Sequence, residues 1–217
     1  MFRFIWPVET LSPDLLQALR HVPAKPVMSL DGGLKAMERS GALSWLDTVD
    51  FPLEYCLNPD NLQETWFHRL LVHKTTTRLW LVARDFTPDL HDRLPSSGVG
   101  KIGWIVSSLT ELQAILSVDY SADCFVLKGN EAAGLVGPDT LQSLYAAATD
   151  WFSRTGRQAR LHVWGGIATP EAAAAFLATG ASGVFFESLH WLTDLYGLEN
   201  PRKARIAMLK PDHTKLV

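Results

Sequence analysis

Eight short apolar runs recur along this chain at nearly even intervals, and that recurrence restricts the fold more than any other feature of the sequence. They fall at residues 2–7, 26–30, 51–57, 78–83, 101–107, 123–128, 160–164 and 183–188. Each is rich in Val, Ile, Phe or Trp and is apolar throughout rather than alternating, as expected of parallel strands covered on both faces. Helical punctuation lies between them. Ser12-Pro13-Asp14, Thr87-Pro88-Asp89 and Thr169-Pro170-Glu171 each place a capping hydroxyl before a proline at the first helical position. Ser108 with Glu111 has the spacing of a capping box, and Gly156 and Gly180 stand where helices should end. Eight strands alternating with helices predict a (β/α)₈ TIM barrel forming a single domain over residues 1–217, with an open doubly wound sheet as the alternative.

Composition agrees with a soluble domain. Hydrophobic residues make up 47% of the 217, enough for a substantial core. With 20 basic and 23 acidic residues and no basic cluster, the chain carries no nucleic-acid footprint. No apolar stretch approaches the ~20 residues that span a bilayer. The opening Met1-Phe2-Arg3-Phe4-Ile5-Trp6 is soon broken by Pro7, unlike a signal peptide. Cys56 and Cys124 sit in separate apolar runs and read as buried free thiols, so a cytoplasmic setting is expected. No Cys/His/Asp/Glu set has metal-ligand spacing. The basic tail from Asn200 lacks a hydrophobic end, as expected if the polypeptide continues.

Two glycine clusters carry the functional reading. Lys128-Gly129-Asn130-Glu131-Ala132-Ala133-Gly134-Leu135 follows the sixth run, and Trp164-Gly165-Gly166-Ile167 follows the seventh. A Gly-rich turn between strand and helix brings backbone N–H groups close to a phosphate, with the positive end of the helix dipole behind it. Two such turns in one α/β domain point to a phosphorylated cofactor.

On these segments, together with Gly180-Ala181-Ser182-Gly183-Val184 before the eighth run, the sequence resembles the nitronate monooxygenase (2-nitropropane dioxygenase-like) family of FMN barrels. The match is good over residues 123–189 and topological before that. Lys-Gly-Asn-Glu-Ala is most similar to the barrels at the front of polyketide and polyunsaturated fatty acid synthases, whose relatives include flavin enoyl reductases. The resemblance implies FMN as cofactor, held by Gly129, Asn130, Gly134, Gly165, Gly166 and Ser188. It also implies a carrier-bound acyl substrate and an acyl carrier protein or other synthase domains as partners, with no nucleic acid and no membrane.

The departures from the family pattern bear on chemistry. The family's catalytic histidine falls on Leu135, which cannot act as a base. Ala133 replaces a glycine, and Glu187 places a carboxylate where the phosphate loop closes. Reduction of an activated C=C is therefore expected ahead of nitronate oxidation. Two other readings remain open: a barrel that has lost catalysis and serves as a docking domain, and a nitronate monooxygenase whose base has moved to His190.

The residues expected to do chemistry are Lys128, Glu131 and His190. Lys128 ends a strand on the rim where barrel active sites gather, either as a cation for a phosphate or as a lysine reaching to water. Glu131 either positions a cofactor hydroxyl and moves a proton or pairs structurally with Lys128. Asn130 reads as a turn former bonding its own backbone. Trp104 and Trp164 are expected at the mouth, and His162 inside the barrel as a satisfied core residue.

Overall fold

The protein is described by a computed structural model for residues 2–7, 17, 18, 20, 21, 24–30, 49–58, 70, 72–84, 86, 102–118, 122–132, 136–186, 201, 204 and 208. Eight parallel strands close in sequence order: β1 (Phe2–Pro7), β2 (Lys25–Ser29), β3 (Leu53–Leu57), β4 (Thr76–Val82), β5 (Ile102–Val106), β6 (Cys124–Lys128), β7 (Arg160–Trp164) and β8 (Gly183–Phe186). β8 pairs back onto β1, with Arg3 opposite Phe185, and this closure excludes the open sheet. Every apolar run became a strand. β1 and β7 keep both expected ends, and the other strands differ by one or two residues because ladder hydrogen bonds, not hydrophobicity, set where a strand stops.

Three helices are described between the later strands: α1 (Leu109–Val118), α2 (Leu141–Thr155) and α3 (Pro170–Ala178). The Thr169 hydroxyl accepts the Ala172 N–H at 3.2 Å ahead of Pro170, as the sequence predicts. Gly156 ends α2 in the left-handed region at φ 68°. The capping box of α1 is shifted by one residue. Ser108 Oγ accepts the Glu111 N–H, but the Glu111 carboxylate reaches back to the Ser107 N–H at 2.6 Å rather than to Ser108. The caps expected at Ser12–Asp14 and Thr87–Asp89 lie outside the described residues.

Strand alternation sorts the core into two layers. One set of side chains faces the helices, including Met28, Leu57, Leu81, Trp104, Leu127 and Val163. The other fills the barrel: Ile5, Val27, Cys56, Trp80, Ile105, Cys124, Val126, Trp164 and Phe185. Cys56 and Cys124 are both buried free thiols, as expected. Trp104 belongs to the outer layer and packs edge-on against Phe86 at 5.2 Å, so it does not line the mouth. Its position in β5 gives it the parity of Ile102 and Val106, whereas Ile105 points inward. No described helix is long and apolar enough to cross a membrane.

Candidate functional site

The carboxyl-terminal mouth is built around Lys128 and Trp164, the last residues of adjacent strands and partners in register. Both side chains have inward parity. The Lys128 ammonium stands 4.2 Å from the Trp164 ring centroid, and the indole in turn stacks on Phe185 at 6.0 Å. Lys128 is only 9% exposed. The expectation of a lysine reaching to water is therefore replaced by a cation held on an aromatic face, an arrangement worth about 1–2 kcal/mol when shielded from solvent.

The two glycine turns interlock beside this pair. Gly129 N–H donates to the Trp164 carbonyl at 2.9 Å, and Ala132 N–H closes the first turn onto the Gly129 carbonyl at 3.1 Å. Gly165 and Gly166 adopt φ 126° and 60°, a region that disfavours side chains. A Cβ on Gly165 would come within 3.1 Å of Ala132 N, and one on Gly166 within 3.3 Å of Glu131 Cβ. A Cβ on Gly129 would fall on Glu131 Oε2 and the Leu141 backbone. Gly165 and Gly166 are thus favoured by their backbone and by the contact between the turns, and Gly129 by its close approach to the start of α2. Gly166 stays exposed while Gly165 is buried.

Glu131, weighed either for proton transfer or for a structural pair with Lys128, is engaged at the start of α2. Its carboxylate accepts the Leu141 N–H at 2.9 Å and so caps the start of α2 together with Thr140, which accepts Ser143 N–H at 3.2 Å. A carboxylate on these unpaired donors also complements the helix dipole. Asn130 is likewise a staple rather than a self-bonded turn former. Its N–H donates to Asp139 O at 2.9 Å, and its side-chain amide donates to Pro138 O at 3.0 Å. Gly134, Ser188 and His190 lie outside the described residues, as do Ala133, Leu135 and Glu187.

A cavity of about 630 Å³ opens from the glycine turns and runs down the outside of the barrel wall between α2 and α3. Glu131, Gly165 and Gly166 line its upper end, and Tyr145 and Phe176 lie along its length, edge-to-face at 5.4 Å.

A second constellation, at the amino-terminal end of the barrel, was missed by the sequence reading. Glu54, 1% exposed, accepts Arg3 Nε at 2.6 Å, Arg3 Nη2 at 3.1 Å and Trp80 Nε1 at 2.6 Å. Arg3 Nη1 reaches His162 Nδ1 at 3.2 Å. Because Arg3 can only donate, His162 accepts through Nδ1 and carries its proton on Nε2. Burial, reinforced by Arg3 and Arg78, lowers the His162 pKa to about 3. His162 is thus a satisfied interior residue, as expected. Charged residues near the starts of apolar strands, Arg3 in β1 and Glu54 in β3, were the available signal for this cluster.

No protein-family model matches the chain, and no curated protein matches it. Solved structures do. A mutant of FabK from Thermotoga maritima superposes with a TM-score of 0.65 at 17% identity, covering 95% of this chain and 68% of its own. The enoyl reductase domain of MlnA, from the macrolactin biosynthesis cluster of Bacillus amyloliquefaciens, superposes with a TM-score of 0.61 at 15% identity. It covers 96% of this chain and 57% of that one. What is shared is the barrel, and the chain spans little more than half the length of the second structure. The resemblance drawn from the glycine segments led to the same kind of barrel.

Proposed function

We propose that the chain is an FMN-dependent oxidoreductase module of the enoyl-reductase kind, acting on a carrier-bound acyl substrate at the carboxyl-terminal mouth. The observation that carries this reading is the Lys128–Trp164 pair beside two interlocked glycine turns. The MlnA domain, whose barrel this chain shares, is an enoyl reductase domain, which supports the reaction class. The side chains present fit a phosphorylated planar cofactor. A buried cation, an aromatic surface and exposed backbone at Gly166 stand together on the rim where barrel active sites form. The carboxylate nearest the turns does not spoil the fit, because Glu131 is engaged with the Leu141 N–H.

FMN bound there would supply hydride transfer. Lys128 would hold negative charge on the cofactor or substrate, the backbone at Gly165-Gly166 would fix the phosphate, and Trp164 would exclude water from the mouth. With Glu131 committed to capping α2, the proton that completes reduction comes from solvent. Gly134, Ser188 and His190 would complete the site from outside the described residues. An acyl carrier protein and neighbouring synthase domains are the proposed partners, and the cytoplasm the proposed setting.

Leu135, at the family's base position, favours a second reading in which the barrel is a docking domain without turnover. Oxidation of reduced nicotinamide with a crotonyl thioester, and oxygen uptake with a nitroalkane and no nicotinamide, both measured on the FMN-loaded protein, test these readings. Thioester-dependent oxidation is the expected result. Turnover of the nitroalkane alone would transfer the assignment to a nitronate monooxygenase with a relocated base, and turnover of neither to a docking domain.

A further inference from the structure

Among the described residues, the amino-terminal mouth carries more positive charge than its carboxylates balance. Parity with Ile5, Val27, Trp80 and Trp164 of the barrel interior places Arg3, Lys25, Arg78 and Arg160 on the inward face of β1, β2, β4 and β7. All four sit at or near the strand starts. Against them stand Glu54, inward on β3, and Asp123, just before β6. Four cations facing two carboxylates leave two positive charges in surplus among the described residues.

The two carboxylates are already engaged. Glu54 holds Arg3 through both oxygens and Lys25 at 3.5 Å, while accepting the Trp80 indole N–H. Asp123 holds Arg160 at 2.7 Å, both of them more than half exposed. Arg78 has no carboxylate among the described residues. Its Nη1 donates to the Ile102 carbonyl at 3.2 Å, and its guanidinium lies 5.3 Å from the Trp80 ring. Arg3 lies 5.3 Å from that same ring, so two guanidiniums crowd one indole with a single buried carboxylate between them. The positive field converges on the barrel axis: Arg3, Arg78 and Arg160 all act on His162 from β7 and on Cys124 from β6. Crowded like charges with unused donors favour an incoming anion, and the guanidinium's planar donor set suits a tetrahedral oxyanion.

We propose that the amino-terminal mouth of the barrel is an anion site for a phosphate group, with Arg78 as its main ligand and Lys25 and Arg160 flanking it. Lys25 is about one-third exposed and Arg78 half-buried, so both heads are reachable from solvent. The site lies at the opposite end of the barrel from Lys128 and the glycine turns. It does not depend on the proposed oxidoreductase activity. The phosphate arrives either as the free ion or as a monoester on a larger molecule.

The test is thermal unfolding of the full chain with inorganic phosphate against sodium chloride of equal ionic strength, together with phosphate binding by calorimetry. A melting temperature that climbs with phosphate concentration beyond the chloride control is expected. Arg78→Met and Lys25→Met should each weaken phosphate at least tenfold, while Arg154→Met, on the exposed face of α2, should leave it unchanged. Should Arg78→Met fail to fold, Arg160→Met and Lys25→Met carry the same prediction. AMP against adenosine, and phosphopantetheine against pantetheine, separate the sources. A monoester binding tenfold tighter than inorganic phosphate assigns the site to an organic phosphate, and parity assigns it to the free ion. A phosphate effect equal to chloride, or one that survives both Arg78→Met and Lys25→Met, overturns the proposal.

Discussion

Replacing Glu54 by alanine should be among the most damaging single changes in the barrel. The carboxylate is 1% exposed and accepts Arg3 at 2.6 and 3.1 Å and Trp80 Nε1 at 2.6 Å. Removing it leaves the Arg3 guanidinium, 5% exposed, beside His162 and two aromatic rings with no counter-charge of its own. Breaking a buried ion pair from one side costs about 3–5 kcal/mol. For a chain of this size, each kcal/mol lowers the melting temperature by about 2–4 °C, so a fall of roughly 6–20 °C is expected. Urea unfolding followed by tryptophan fluorescence and by circular dichroism gives the free energy directly. The double variant Arg3→Met/Glu54→Leu, which removes both charges, should recover most of the loss, because apolar replacement of a buried pair is often neutral or stabilising. A Glu54→Ala cost under about 1 kcal/mol, or a double variant no better than the single, would refute the view of this cluster as an interlocked plug.

His162 ties stability to pH. Its folded pKa of about 3 lies below the ordinary value of 6.5, so the unfolded chain binds more protons between them, and stability falls as pH drops through that window. The slope should approach ~1.4 kcal/mol per pH unit at most and shrink in His162→Gln, as read by urea unfolding between pH 7 and 4. Gly165→Val should destabilise by about 1–3 kcal/mol, because valine at φ 126° is strained and its Cβ meets Ala132, and calorimetric melting would measure it. Glu131→Ala should lower stability by about 1 kcal/mol through loss of the α2 cap, whereas Glu131→Gln, whose amide oxygen still accepts, should restore much of it. If both substitutions abolished turnover without moving the melting temperature, Glu131 would be a catalytic group instead.

The barrel was legible because each buried parallel strand leaves a short unbroken apolar run, and eight such runs, from 2–7 to 183–188, all became strands. Thr169-Pro170 and Gly156 marked helix ends for equally local reasons. Side-chain direction was less legible. Trp104 and Trp164 look alike as strand residues, yet a shift of one residue in parity sends the first to the helices and the second to the mouth. Glu131 was visible as a charged residue in a loop, but its partner Leu141 is ten residues on, and loop closure decides that contact. The Arg3–Glu54–His162 cluster joins β1, β3 and β7 across the closed barrel, so nothing local announces it.

A flavin at the carboxyl-terminal mouth is tested by a visible absorption spectrum of the purified protein, followed by titration with FMN. The expected result is a flavin band that saturates at one FMN per chain, with affinity weakened at least tenfold by Lys128→Met and binding abolished by Gly166→Val, and with circular dichroism showing that both variants stay folded. A protein that takes up no FMN, or whose flavin band is indifferent to both substitutions, would contradict it.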